Sequence, residues 1–114
     1  MTEKTNLILK TLHDKLGVDI TTIEFTDSTV ADTFIIATGN VPSHTQAMAD
    51  AVEQALAAEG ERVVGTEGYR EGNWILLDYG DVIVHLFLAS DRAYYDLETL
   101  WQDQKITTHK EETV

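Results

Sequence analysis

Four histidines, three serines, twenty acidic residues and no cysteine are the groups with which this 114-residue chain could bind metal or do catalysis. Without cysteine there is no thiolate nucleophile, no disulfide and no cysteine-held zinc or iron–sulfur centre. His13, His44, His85 and His109 stand far apart. No pair has the H-x-x-x-H spacing that sets two imidazoles on one helix face, and none belongs to a recognisable ligand motif. Ser28, Ser43 and Ser90 lack the G-x-S-x-G elbow that exposes a nucleophilic hydroxyl. Two-metal phosphoryl transfer wants a D-x-D or D-x-E strand, and no predicted strand carries one. Gly39-Asn40-Val41-Pro42-Ser43 lies where a strand end opens a helix, the place of a phosphate loop, but it has neither a second glycine nor a lysine. No catalytic residue, metal ligand or cofactor is expected.

What stands out is apolar and aromatic. Along Trp74-Ile75-Leu76-Leu77-Asp78-Tyr79, one face shows Trp74, Leu76 and Asp78 and the other Ile75, Leu77 and Tyr79. With helices on both sides of the sheet, both faces are core. With one side open, tryptophan, leucine and an acid compose a protein-interaction patch. His85 alternates with Ile83 and Phe87 in the following strand and is read first as a satisfied core or half-buried histidine.

These residues must be positioned by a single domain, because 114 residues suffice for one core and bury roughly two-thirds of the unfolded surface. Ile8, Leu9, Leu12 and Leu16 recur at helical spacing, with Gly17 placed for a left-handed cap. Ile20 to Thr26 alternates as a half-buried strand, and Thr33 to Thr38, apolar on both faces, reads as a central one. Ser43 and Gln46 fit an S-x-x-Q capping box opening a helix with Met48, Val52, Ala55, Leu56 and Glu59 on one stripe, closed by Gly60. A short strand at 62–67 precedes the loop 68–72. Trp74 to Tyr79 and Val82 to Leu88 then form a hairpin across Gly80-Asp81. A last helix carries Tyr94, Leu97, Leu100 and Trp101, after which residues 102–114 read as a frayed polar tail. The expected fold is α/β, a mixed sheet of about five strands flanked by helices.

Twenty acids against eight bases give a net charge of −12, and no Lys or Arg falls between Lys15 and Arg62. Asp19, Glu24, Asp27, Asp32, Asp50, Glu53, Glu59 and Glu61 all lie in that stretch. Nucleic acid is gripped by cations, so the field disfavours direct nucleic-acid binding and favours a basic protein partner. The longest near-continuous apolar run, Val82 to Ala89, is too short to span a bilayer. The polar start Met1-Thr2-Glu3-Lys4-Thr5 carries no signal-peptide core, so a cytoplasmic location is expected.

Several linked motifs resemble the ribosomal silencing factor (Iojap-like) family. They are Ala31-Asp32-Thr33-Phe34-Ile35-Ile36-Ala37-Thr38-Gly39-Asn40, Glu67-Gly68, the run Asn73 to His85, and Tyr95-Asp96-Leu97-Glu98-x-Leu100-Trp101. The similarity runs in unbroken order over about residues 3 to 101, which defines a domain 1–101 and leaves 102–114 outside it. The resemblance implies a nucleotidyltransferase-like fold lacking the catalytic acids of that superfamily. It further implies a translational repressor that docks on ribosomal protein fourteen of the large ribosomal subunit and blocks joining of the small subunit. A part in large-subunit biogenesis is also implied. Carried onto this sequence, the docking residues are Trp74, Leu76, Leu77, Asp78 and Tyr79. A nucleotide-binding module at Gly39–Ser43 and a homodimeric scaffold remain the alternatives, and relatives of this kind imply a possible homodimer.

Overall fold

The structure, a computed structural model, describes residues 2–26 and 31–110. Helix α1 (Glu3–Asp14) begins earlier than its apolar stripe because the Thr2 side chain accepts the Thr5 backbone N–H at 3.1 Å. It is followed by β1 (Val18–Glu24), β2 (Thr33–Gly39), α2 (Pro42–Ala58), β3 (Gly65–Glu67), β4 (Trp74–Asp78) and β5 (Val82–Leu88). Two short helices, α3 (Ala89–Tyr95) and α4 (Leu97–Leu100), lead to β6 (Lys105–Thr108). The strands form one mixed sheet of order β3-β4-β5-β2-β1-β6, with β2 and β5 parallel and the other described pairs antiparallel.

One face of the sheet is sealed. Ile8, Leu9 and Leu12 of α1 and Met48, Ala49, Val52 and Leu56 of α2 pack on Ile20, Ile35, Ala37, Ile75, Leu77, Val82, Val84 and Leu86. The opposite face carries a smaller cluster of Ile23, Phe34, Ile36, Ile83 and Phe87, covered in part by Phe25, Leu97 and Trp101. Central β2 is buried along its whole length, as a strand between two neighbours with both faces in contact must be.

Several expectations are corrected. The sheet has a sixth strand: residues 105–108 pair antiparallel with β1, Thr22 opposite Thr107 and Ile23 opposite Ile106. His109 extends this attachment, its backbone N–H reaching the Ile20 carbonyl at 2.7 Å and its ring the Thr22 hydroxyl at 2.8 Å. The frayed reading of 102–114 therefore fails through residue 110, and residues 111–114 lie outside the described chain. Flanked on both sides, β1 is buried on both faces at 20–23 rather than half-buried.

The left-handed cap of α1 falls on Leu16 (φ 63°), not Gly17. Leu16 N–H bonds His13 O and Gly17 N–H bonds Leu12 O, the paired bonds of a Schellman end. Gly17 is small for another reason: a Cβ there would press on Leu12 O and Met48 Sδ at 3.1 and 3.2 Å. At α2 the capping box is absent. Val41 is the N-cap, Pro42 takes the first turn, and the Gln46 amide instead donates to the carbonyls of Tyr69 and Arg70 at 2.9 and 3.2 Å. Gly60 does close α2, with φ 79°.

The last helix is broken at Asp96, which adopts φ 46° and ψ 57°. The turn there drops Leu97 and Trp101 onto the sheet while Tyr94 and Leu100 stay 82% and 66% exposed. A single helix through 94–101 would have kept all four on one stripe.

Candidate functional site

The hairpin β4–β5 sorts the expected site residues by parity. Trp74, Leu76 and Asp78 are half-buried on the partly open face. Ile75 and Leu77 are fully buried on the sealed face, and Tyr79, 5% exposed, packs there too. Strand pleat separates the five expected residues into three that reach the surface and two, Leu77 and Tyr79, that hold the hairpin in the core. Truncating Leu77 would act through a cavity, at about 2–5 kcal/mol, rather than through a surface.

The hairpin is fixed at both ends. At the turn, Tyr79 N–H bonds Val82 O at 2.9 Å, Gly80 takes φ 85°, and the Asp78 carboxylate accepts the Gly80 N–H at 2.7 Å. Lys4 reaches over from α1, meeting Asp81 at 2.7 Å, Glu61 at 2.9 Å and the Tyr79 carbonyl at 3.3 Å. At the far end, Gly68 (φ 75°) lies so close to the Trp74 carbonyl that no Cβ fits. Thr45 of α2 ties the following loop down by donating to the Gly72 carbonyl at 2.6 Å.

Trp74 sits in an aromatic cradle. Its ring stacks on Phe87 (centroids 5.0 Å apart, 27° between planes) and lies 4.5 Å from Tyr95. Its indole N–H donates to Nδ1 of His85 at 3.1 Å. An indole N–H can only donate, so Nδ1 is the acceptor and the ring proton of neutral His85 resides on Nε2. Burial alone pushes the His85 pKa down to about 4, which keeps the ring uncharged at neutral pH. The Nε2–H has no partner among the described residues and is itself buried, a defect costing about 1–3 kcal/mol. His85 is thus a core histidine, as the strand pattern indicates, but not the satisfied one expected there, since only Nδ1 finds a partner among the described residues. Phe87 and Tyr95 were not in the expected site. The Ile83/His85/Phe87 alternation put two of the three cradle residues on one strand face, but Tyr95 arrives there only through the tertiary path of α3.

Beside the cradle, Arg92 anchors the covering segment. Its guanidinium donates to Glu98, to the Thr38 and Thr21 hydroxyls, and to the Asp19 carbonyl at 2.7 Å. Asp19 (φ 50°) lies where the β1–β2 register slips, and that bulge presents its carbonyl.

The other sequence candidates are scattered. His44 is a structural clamp, accepting the Asn40 N–H at 3.0 Å with one nitrogen and meeting the Lys15 carbonyl at 2.8 Å with the other. Gly39 is explained by packing, since a Cβ would strike Thr45 Cγ2 at 2.8 Å. Ser28 lies outside the described residues. Among the described residues no group of three or more His, Cys, Asp or Glu is arranged to hold a metal ion, and no helix is long and apolar enough to cross a membrane.

A sheet sealed on one side by two helices leaves an aromatic and acidic row half-buried on the other. Residues 1–114 match the family described as Ribosomal silencing factor during starvation. A Ribosomal silencing factor RsfS of Chromobacterium violaceum is 41% identical over 106 residues, 90% of this chain and 85% of that protein. A crystal structure of a protein from the same organism superposes with a TM-score of 0.85 at 35% identity, covering 96% of this chain and 92% of that one. A more distant relative is Mitochondrial assembly of ribosomal large subunit protein 1 of Mus musculus, 27% identical over 84% of this chain and 44% of its own length. The chain belongs to the ribosomal silencing factor family.

Proposed function

We propose that this protein is a ribosome-associated translational repressor that docks on the large subunit through ribosomal protein fourteen and blocks joining of the small subunit by occupying its place. The observation that carries the reading is the half-open row Trp74, Leu76 and Asp78, an apolar anchor and an acid beside the buried central strands. An aromatic ring in a rigid cradle beside a leucine and a carboxylate has the make-up of a protein hot spot. The net charge of −12 steers such a surface toward a basic protein and away from ribosomal RNA. Exclusion of one subunit by a bound domain requires no bond to be made or broken, so no catalytic group is called for. The name of the mouse relative supports a related part in large-subunit assembly.

The test is titration of isolated ribosomal protein fourteen with folded variants. Trp74→Ala should weaken docking by about thirtyfold, on the order of 2 kcal/mol. Asp78→Asn keeps an acceptor for Gly80 while removing the charge, and should weaken docking and flatten its salt dependence. Undiminished binding by both variants would remove this row from the interface. Self-association is a second reading, favoured by Tyr94 and Leu100, which stand 82% and 66% exposed on the segment next to the row. Light scattering over a concentration series decides it.

A further inference from the structure

We infer that His85 is a positioning residue for docking: its Nδ1, by accepting the Trp74 indole N–H, sets which edge of the indole faces the partner. The inference rests on the docking role proposed for Trp74. Stacking on Phe87, with Tyr95 tilted against the ring at 46°, holds the plane of the indole but not its sense within that plane. The torsion between Cβ and an aromatic ring is broad and close to two-fold, so by itself it does not select one ring placement. A hydrogen bond in the ring plane removes that degeneracy, and the 3.1 Å contact to His85 supplies it.

The environment of His85 argues that stability is not what this side chain provides. The ring is 3% exposed, stacked at 10° on Phe87 and edge-on to Phe34 at 4.6 Å. In that surrounding Nε2 finds no partner among the described residues. An apolar side chain would fill the same space without the orphaned donor. A buried donor left without a partner, where an apolar side chain would pack equally, marks a position held for function. The gain is visible next door, in the indole that His85 anchors.

The experiment uses the full chain labelled with ¹⁵N at the tryptophan indoles, the Trp74 signal assigned through Trp74→Phe. In the native protein the Trp74 indole proton should exchange slowly with solvent. In His85→Leu it should exchange freely, the thermal midpoint should be unchanged or higher, and affinity for purified large ribosomal subunits should fall about tenfold. His85→Asn places Oδ1 near the lost Nδ1 and should restore both protection and most of the affinity. A freely exchanging native indole overturns the inference, and so does native-like binding by His85→Leu in a background where Trp74→Ala has lost it. If Trp74→Ala itself binds normally, the docking reading falls and the positioning role falls with it, whatever the indole shows. Should His85→Leu fail to fold, failure of His85→Asn to protect the indole overturns the inference by itself.

Discussion

The Arg92 guanidinium and the Glu98 carboxylate meet at 2.9 Å across the left-handed break at Asp96, joining α3 to α4. The pair is sheltered, at 12% and 30% side-chain exposure, and Arg92 spends its remaining donors on β1 and β2. Removing one side of such a network strands the other, so its loss exceeds that of a surface ion pair.

Arg92→Ala should therefore destabilise the fold by about 2–3 kcal/mol. The check is urea unfolding: a lower midpoint with unchanged slope is expected, and a change under about 0.5 kcal/mol would reduce the network to surface decoration. Because α3 also carries Tyr95 to the indole, the same variant should loosen Trp74.

Acid should weaken the protein through His85. Its folded pKa, about 4, lies below the ordinary histidine value of 6.5. Above 6.5 the ring is neutral in both states and its contribution is complete. As pH falls from 6.5 to 4 the unfolded chain takes up a proton that the folded chain refuses, and stability drops by as much as about 3 kcal/mol. His109, also pushed down chiefly by burial, adds in the same direction. Urea midpoints across this window should fall less steeply for His85→Leu than for the native chain. Parallel slopes would mean that His85 does not sense the transition.

Leu16 is a stability reserve. It occupies φ 63° with its side chain 71% exposed, a conformation that costs a branched side chain about 1–2 kcal/mol and glycine almost nothing. Leu16→Gly should raise stability by about 0.5–1 kcal/mol, the freer unfolded chain offsetting part of the relief. Thermal unfolding reads it directly, and a lower midpoint would mean that Leu16 packs in a way its exposure hides.

Periodicity made most of the sheet legible. Two apolar faces placed Thr33–Thr38 at the centre, and Gly80-Asp81 between two apolar runs located the hairpin. The misses come from partners distant in sequence. Lys105-Ile106-Thr107-Thr108 has no strong strand pattern of its own and becomes β6 only because β1 offers a free edge. The helix break at Asp96 is invisible to spacing, since its reason is the burial of Leu97 and Trp101 against Phe25 and Phe34. Gln46 looked like a capping partner, yet the loop at Tyr69 and Arg70 claims its amide. At the site, alternation separated Trp74, Leu76 and Asp78 from Leu77 and Tyr79. It could not say which face would stay open, because that depends on how much of the sheet two short helices manage to cover.

The central claim is occupancy without chemistry, and sedimentation tests it most directly. Purified protein mixed with separated subunits and with joined ribosomes should travel with free large subunits and be absent from the joined particles. Adding it before the small subunit should keep the two apart, an effect lost in Trp74→Ala. Co-sedimentation with joined ribosomes at equal occupancy, or subunit joining that proceeds undisturbed at saturating protein, would contradict the account.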